Sequence, residues 1–166
     1  PTFLPWIGYF AMISRVNIFV FLDDVQFAKR SWQQRNRIYC RGKSEWLTLP
    51  VISKGLRQQN IKDTHLFKDE AKLKKLAGKL NHNYNGSDYK NKFVSQLESQ
   101  ISKHKNLADL NCSMIEQYSR GLGLTTKFLR SSELKAKGSS SQKLFEICAE
   151  LGASKYLSSP GSKEYI

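Results

Sequence analysis

The sequence predicts an α/β fold with a mostly parallel sheet in a three-layer sandwich. Residues 17–25 (NIFVFLDDV) form a continuous apolar run closed by two aspartates, which is typical of a strand covered on both faces. Residues 125–157 predict the order strand, loop, helix and strand, and the strands of such a unit are expected to be parallel. Between these two segments, residues 68–122 have the apolar periodicity of amphipathic helices.

The N-terminal part predicts a helix, a buried strand and a hairpin in that order. A proline-rich loop over residues 1–8 runs into a helical pattern that extends to Ile13, and the buried strand of residues 17–25 follows. Residues 34–51 alternate on both sides of a short glycine-containing turn, which is typical of a β-hairpin that leaves the main sheet. A further short strand is expected at residues 61–66.

The C-terminal part predicts a helical insert followed by the βαβ unit. The insert covers about residues 68–122 and has three amphipathic stripes, the last of which ends at a Gly-Leu-Gly stop signal. In the βαβ unit, strands are expected at residues 125–130 and 155–157. The helix between them is expected to end before Gly152.

Length and composition suit one α/β domain over residues 1–166. Hydrophobic residues make up 40% of the chain, and no apolar run approaches the roughly 18 residues of a membrane-spanning helix. We therefore expect no membrane span. Three cysteines (Cys40, Cys112 and Cys148) lack CxxC spacing and predict reduced thiols in a cytoplasmic protein.

The formal net charge of +13 indicates an anionic partner, and the basic residues fall into two groups. The first group lies on a predicted helix, where a solvated helix face is the favoured interpretation. It consists of Lys68, Lys72, Lys74, Lys75 and Lys79. The second group is compact and interleaved with aromatic residues, which makes it the better candidate for a binding site. It consists of Lys29, Arg30, Arg35, Arg37, Arg41 and Lys43, with Phe27, Trp32 and Tyr39.

Four polar or basic segments are expected at the carboxyl ends of the predicted strands. Ligands of open α/β sheets bind outside these ends. The segments are residues 1–8, Asp23-Asp24 with Lys29-Arg30, residues 130–132, and residues 158–161 with Lys163 and Tyr165. Their convergence predicts one shared pocket.

Asp23 and Asp24 have two interpretations. Adjacent strand residues face opposite ways, so the two carboxylates are not expected to act as a dyad. One can bind a substrate hydroxyl, an ammonium group or a metal ion, while the other pairs with Arg30 or caps the next turn. Alternatively, both are structural. The three histidines have no metal-ligand spacing, and no metal site is expected.

Basic and hydroxyl side chains are the candidates for anion binding. Lys29, Arg35 and Arg37 can hold a phosphate or carboxylate, or they can simply face solvent. Trp32 and Trp46 can stack on a base or a sugar ring, or belong to the core. The serine pairs after the predicted strands can bind phosphate or cap helices, and no GxGxxG or Walker pattern is present to decide between these roles.

Five blocks of the sequence together resemble the WbqC-like protein family. They are PTFLPWIGYF (1–10), FLDDVQFAKRSWQQRNR (21–37), WLTLP (46–50), RSS (130–132) and YLSSPGSKEY (156–165). The resemblance runs along essentially the whole chain, in the right order and with approximately the right spacing. It implies a strand and a Gln before Pro1 and further residues after Ile166, so we expect the sequence to be a fragment.

The resemblance implies a transferase in bacterial surface-glycan (O-antigen) biosynthesis. The implied reaction attaches an amino acid such as glycine to a sugar and uses an activated donor; the donor is unknown, and a nucleotide is one candidate. The implied partner is an anionic small molecule, either a sugar nucleotide or a phosphosugar. Two alternatives are a non-catalytic nucleotide- or anion-binding module and, less favoured, a nucleic-acid-binding protein suggested by the basic charge.

The family's motif positions give the candidate site residues. The catalytic candidates are Asp23, Asp24 and Lys29. The substrate-binding candidates are Trp6, Gly8, Tyr9, Arg30, Trp32, Arg35, Asn36, Arg37, Arg130, Ser131, Ser132, Ser158, Gly161, Lys163 and Tyr165. Ser159 stands where the family pattern is expected to have Gly, which weakens the prediction of a close backbone approach to a ligand there.

Overall fold

A computed structural model of the chain describes residues 1–40 and 42–159, and for Cys40 it describes the backbone only. These residues form a mixed α/β fold. In chain order its elements are α1 (Ile7–Ile13), β1 (Ile18–Phe21), β2 (Arg35–Cys40), β3 (Lys43–Thr48), α2 (Glu70–Asn83), α3 (Lys90–Lys103), α4 (Leu107–Gly121), β4 (Lys127–Arg130) and α5 (Ser140–Glu150). Two short 3₁₀ helices cover Ile61–Asp63 and Ser131–Glu133.

The strands form two separate pairs. β1 and β4 are parallel, and their register places Phe21 opposite Arg130. β2 and β3 form the predicted antiparallel hairpin, with Arg37 opposite Trp46. The α/β class is confirmed. The three-layer sandwich is not confirmed, because the described part of the chain contains one parallel pair and one antiparallel pair instead of a larger parallel sheet.

Two predicted strands are wrong. Residues 155–157 are exposed and do not join β4 in a sheet, because no apolar face of this short segment is buried to hold it at a strand edge. Residues 61–66 contain the first 3₁₀ helix. Their backbone amides bond to two different segments. Those of Ile61 and Lys62 donate to the carbonyl oxygens of Val25 and Asp23, and that of Leu66 donates to the carbonyl oxygen of Lys105.

The predicted helical insert is helical, and its third helix, α4, is central to the fold. α4 contributes Leu110 and Met114 to a large core cluster that also contains the inner face of the hairpin, α2 and α3. Its residues Cys112 and Ile115 belong to a second cluster with α1 and β1. Burial of this apolar surface therefore fixes the hairpin and the β1–β4 pair to the same helix.

The ends of α4 follow from its sequence. The Asn106 side chain accepts a hydrogen bond from the Asp109 backbone amide at 2.8 Å and donates to the Asp109 carboxylate at 2.6 Å, which caps the helix. After the helix, Gly123 has a φ of +75°, in the left-handed region that favours glycine. The chain then turns directly into β4.

The hairpin has a buried face and an outer face. Ile38 and Leu47 are buried in the large core cluster. Arg37 and Trp46 lie opposite each other, on the face that alternates with the buried one. The alternation of the sequence is therefore confirmed, and it places the basic residues of β2 away from the core.

Candidate functional site

β1 and β4 end at the same register position, which brings together the motifs Asp23-Asp24 and residues 130–132. Because Phe21 pairs with Arg130, the residues that follow each strand lie at the same edge. Asp23 is fully buried there. Its Oδ1 accepts a hydrogen bond from the Ser132 backbone amide at 3.0 Å, and its Oδ2 accepts one from the Ser132 hydroxyl at 2.8 Å. The predicted convergence of these two motifs is present in the structure.

Asp24 lies in a different environment from Asp23. Its side chain is 21% exposed, and its Oδ2 lies 2.5 Å from Nζ of Lys143, a residue of α5 whose side chain is only 10% exposed. The Ser131 hydroxyl donates to the other carboxylate oxygen. Burial opposes the ionisation of Asp24, but the hydrogen bonds from Lys143 and Ser131 and the charge of Lys143 outweigh it and lower the pKa of Asp24. Asp24 is therefore an ionised carboxylate at neutral pH.

Arg130 links this pair of motifs to α4. Its Nη1 lies 2.5 Å from Oδ1 of Asp109 and 3.9 Å from Oδ2 of Asp23. Burial disfavours the charged guanidinium, but the hydrogen bond to Asp109 more than offsets it, and the pKa of Arg130 is raised. We refer to the whole group as the strand-end cluster. It consists of Asp23, Asp24, Asp109, Arg130, Ser131, Ser132 and Lys143.

The charge of the strand-end cluster favours some ligands over others. It contains three aspartates against one arginine and one lysine, so it carries about one net negative charge. Such a cluster suits an amine or a hydroxyl better than a free phosphate, because like charges repel at short range. The anion-binding roles of Arg130, Ser131 and Ser132 stay predictions.

Trp6 and Gly8 form an exposed unit at the start of α1. The Trp6 side chain is 69% exposed, so it does not belong to the core. Its indole ring lies over Gly8, where an added Cβ would meet a ring carbon at 1.9 Å. A side chain at position 8 would therefore require the exposed Trp6 ring to move. This contact gives Gly8 a local role without placing a ligand against its backbone.

Tyr9 and Asn36 have structural surroundings. Tyr9 packs edge-on against Phe19, with ring centres 5.4 Å apart, and burial raises its pKa. The Asn36 side-chain amide donates to the carbonyl oxygens of Phe3 and Leu4 at 3.2 and 2.6 Å. These contacts tie the opening loop to the hairpin, so they account for both residues without a ligand.

The contacts of Asn36 lead to a stability prediction. Asn36→Ala removes two hydrogen bonds to the opening loop and is expected to lower the free energy of unfolding by about 1–2 kcal/mol. Urea denaturation measures this loss. Asn91→Ala, at an exposed position on α3, is the control and is expected to change stability by less than about 0.5 kcal/mol. Equal effects of the two substitutions would contradict the structural role of Asn36.

Lys29 and Arg30 lie in an exposed turn before the hairpin. Arg30 has a φ of 57°, and its backbone amide donates to the side chain of Gln34 at 3.3 Å. In the part of the chain that the structure describes, no hydrogen bond or ion pair joins Lys29 or Arg30 to the strand-end cluster. The catalytic role of Lys29 and the binding role of Arg30 stay predictions.

Arg35, Arg37 and Trp32 gather around Trp46 on the hairpin. The guanidinium carbon of Arg35 lies 3.9 Å from the centre of the Trp46 ring, and that of Arg37 lies 5.0 Å from it. The Trp32 ring centre is 5.2 Å from that of Trp46, and Trp32 is half exposed. Of the two interpretations of Trp32, the core one is wrong. These cation–π contacts form a basic and aromatic surface outside the core.

The last predicted segment is described only in part. The Ser158 hydroxyl donates locally to the carbonyl oxygen of Ser159 at 3.2 Å. Gly161, Lys163 and Tyr165 lie outside the described residues. Their predicted binding roles, like that of Ser158, stay predictions.

Comparison with known proteins supports the sequence resemblance. The model of the WbqC-like protein family matches residues 1–166. The chain belongs to this family. It is also 30% identical over 167 residues to the uncharacterized protein Rv1507c of Mycobacterium tuberculosis (strain ATCC 25618 / H37Rv), a match that covers 99% of this chain and 71% of that protein. No solved structure gives a significant match. Among the described residues of this WbqC-like protein, no helix has both the length and the apolarity to cross a membrane.

Two residues of the strand-end cluster were missed by sequence reasoning. Lys143 lies four positions before Ile147, so it falls on the buried face of α5, and a lysine on such a face is a detectable signal. Asp109 is an acidic residue in the first turn of α4 that bonds to the N-cap Asn106, and this local role gives no sign of its ion pair with Arg130. Both depend on contacts between elements far apart in the sequence.

Other chemistry at the strand-end cluster is limited by burial. Cys112 of α4 is fully buried and free, and it interacts electrostatically with Asp23 and Arg130. Burial raises the pKa of its thiol to about 12, so Cys112 is a protonated thiol at neutral pH and a poor nucleophile. Over residues 1–40 and 42–159, the WbqC-like chain contains no group of three or more His, Cys, Asp or Glu residues arranged to hold a metal ion.

Proposed function

We propose that this WbqC-like protein is a transferase of bacterial surface-glycan (O-antigen) biosynthesis that attaches an amino acid such as glycine to a sugar. The observation that carries the proposal is the contrast between two adjacent carboxylates at one strand end. Asp23 is buried and fixes Ser132, whereas Asp24 is partly exposed and is held by Lys143. Family membership supports the pathway.

The proposed reaction joins an acceptor amine or hydroxyl to an activated aminoacyl donor. The acceptor nitrogen or oxygen attacks the carbonyl carbon of the donor, and a new bond forms there. The bond between that carbon and the leaving group breaks, and the leaving group departs with the electron pair. The proton of the acceptor passes to solvent.

Asp24 fits the task of orienting the acceptor. A general base works best with a pKa near the operating pH, and the lowered pKa of Asp24 makes it a weak base. As a permanent carboxylate it is a strong acceptor for the hydrogen bond of an amine or hydroxyl. Lys143 and Ser131 fix the position of its oxygens, and Asp23 acts as a positioning residue behind them.

We place the enzyme in the cytoplasm, which the free thiols of Cys112 and Cys148 support. The activated donor is a nucleotide-linked or otherwise phosphorylated molecule.

A transfer assay tests the proposal. The full chain is incubated with amino-sugar nucleotides as acceptors and with activated glycine donors, and mass spectrometry detects the aminoacylated sugar. We expect product with wild type and with Asp88→Asn, which changes an exposed aspartate between α2 and α3. We expect none with the double variant Asp24→Asn/Lys143→Met, which removes the carboxylate without leaving a buried lysine unpaired. Equal product from all three proteins would contradict the role of Asp24.

A non-catalytic binding module is the second candidate. It is favoured by the closed hydrogen bonding of Asp23, whose two carboxylate oxygens are both occupied by serine donors of the same chain. Such a module binds a donor without cleaving the bond to its leaving group. Release of the donor's leaving group only when an acceptor is present would exclude this alternative.

A further inference from the structure

A cleft separate from the strand-end cluster lies between the hairpin and α2. Its volume is about 400 Å³, within the range of about 300–1,000 Å³ that is common for small-molecule sites. Its polar and aromatic lining comes from β3, from α2 and from the segment before α2. These residues are Trp46, Thr48, Phe67, Lys72, Lys75 and Lys79, and Gln34 adds a polar side chain just before β2. We refer to this site as the basic cleft.

Three lysines give the basic cleft its charge. Lys72, Lys75 and Lys79 fall on one side of α2 and span about 10 Å along its axis. The described lining of the cleft contains no aspartate or glutamate. Lys79 is held at its edge by Glu45 and by the Trp46 carbonyl, each 3.3 Å from its Nζ, while Nζ of Lys72 lies over the Phe67 ring at 4.4 Å.

The two arginines of β2 add to this charge. Both stack on Trp46, which is itself part of the cleft lining. The Nε of Arg35 is buried and has no hydrogen-bond partner among residues 1–40 and 42–159. A buried donor without an acceptor is unfavourable. Trp46 therefore lies both in the lining formed with Lys72, Lys75 and Lys79 and in the basic and aromatic surface of the hairpin. From the sequence, these lysines were interpreted as part of a solvated helix face.

We infer that the basic cleft binds a small molecule with two linked phosphates, such as a nucleoside diphosphate or a sugar pyrophosphate. The three lysines of α2 in its lining and the two arginines stacked on Trp46 call for more than one negative charge, and the size of the cleft suits a small ligand. Trp46 and Phe67 provide apolar surface for the rest of the molecule. The inference does not depend on the proposed transfer reaction, since binding requires neither Asp24 nor Lys143.

Titration calorimetry with UDP at low ionic strength tests the inference. Lys72→Gln/Lys75→Gln removes two charges from the cleft and is expected to weaken UDP binding at least about tenfold. The matched control is Lys74→Gln/Lys92→Gln. Lys74 is 75% exposed and lies about 200° around α2 from Lys72, and Lys92 is exposed on α3. The control pair also loses two charges, but binding is expected to change by no more than about twofold.

Further ligands and variants separate the outcomes. Inorganic pyrophosphate is expected to compete with UDP, and uridine is not. Asp24→Asn/Lys143→Met is expected to bind UDP like wild type. The two proposals can therefore fail independently: absence of product in the transfer assay would not contradict UDP binding in the basic cleft, and absence of UDP binding would not contradict the transferase proposal. Equal weakening by both lysine pairs, uridine binding as tight as UDP binding, no saturable binding of UDP, or binding of a DNA duplex in its place would each overturn the inference.

Discussion

Asp23→Ala lowers the free energy of unfolding by about 3–5 kcal/mol, which is the largest loss expected of any single substitution discussed. Asp23 is fully buried and accepts hydrogen bonds from the Ser132 amide and hydroxyl. Its removal leaves these partly buried donors without their acceptor and leaves Arg130 with Asp109 as its remaining carboxylate partner. Urea denaturation of the purified variant measures the loss.

Two variants control this prediction. Asp88→Ala changes an exposed aspartate, and its effect is expected to stay below about 0.5 kcal/mol. Asp23→Asn keeps the shape of the side chain but replaces one acceptor oxygen with a donor, so an intermediate loss is expected. If Asp23→Ala were as stable as Asp88→Ala, Asp23 would not hold the ends of β1 and β4 together.

Lys143→Met destabilises the protein by about 2–4 kcal/mol, because it leaves Asp24 partly buried without its cation. Asp24→Asn/Lys143→Met is expected to recover much of this loss, since neither charge then remains. A double-mutant cycle on urea denaturation curves gives the coupling between the two side chains. Additive losses, with no recovery in the double variant, would contradict the ion pair.

The same pair predicts the acid limb of the stability curve. The pKa of Asp24 is lowered from its ordinary value of 3.8, so the stability that it contributes is fully present above that pH. It is lost as the pH falls from 3.8 through the lower folded-state pKa. In Lys143→Met this contribution is reduced or absent, so the gap in stability between wild type and variant is expected to narrow below pH 3.8. Urea denaturation at several acidic pH values measures the gap.

The sequence predicted those elements whose apolar spacing is regular. α1 to α5, the hairpin and the two strands β1 and β4 all follow from periods that belong to one element. The strand predicted at residues 155–157 was wrong because a three-residue pattern carries little information about a strand partner. The strand predicted at residues 61–66 was wrong although Ile61 and Leu66 are both buried. The backbone between them bonds to several other segments and not to one neighbouring strand.

The candidate site was predictable where it depends on strand ends. Asp23 and the serines after β4 could be placed side by side because the carboxyl ends of parallel strands share one edge. The ion pairs of Lys143 and Asp109 were not predictable, since they join elements about 120 and 20 residues apart in the chain. The role of the α2 lysines depends on which surface the hairpin packs against. Local sequence patterns do not predict such packing between elements.

Ligand-induced thermal stabilisation tests most directly the central claim, that Asp24 in the strand-end cluster holds the acceptor. Wild type, Asp88→Asn and Asp24→Asn/Lys143→Met are heated with an amino sugar that carries no phosphate as the acceptor, so that binding in the basic cleft does not contribute, and their melting temperatures are compared with those of the free proteins. We expect the acceptor to raise the melting temperature of wild type and Asp88→Asn by the same amount, and that of the double variant by clearly less. An equal rise in all three proteins would contradict the claim.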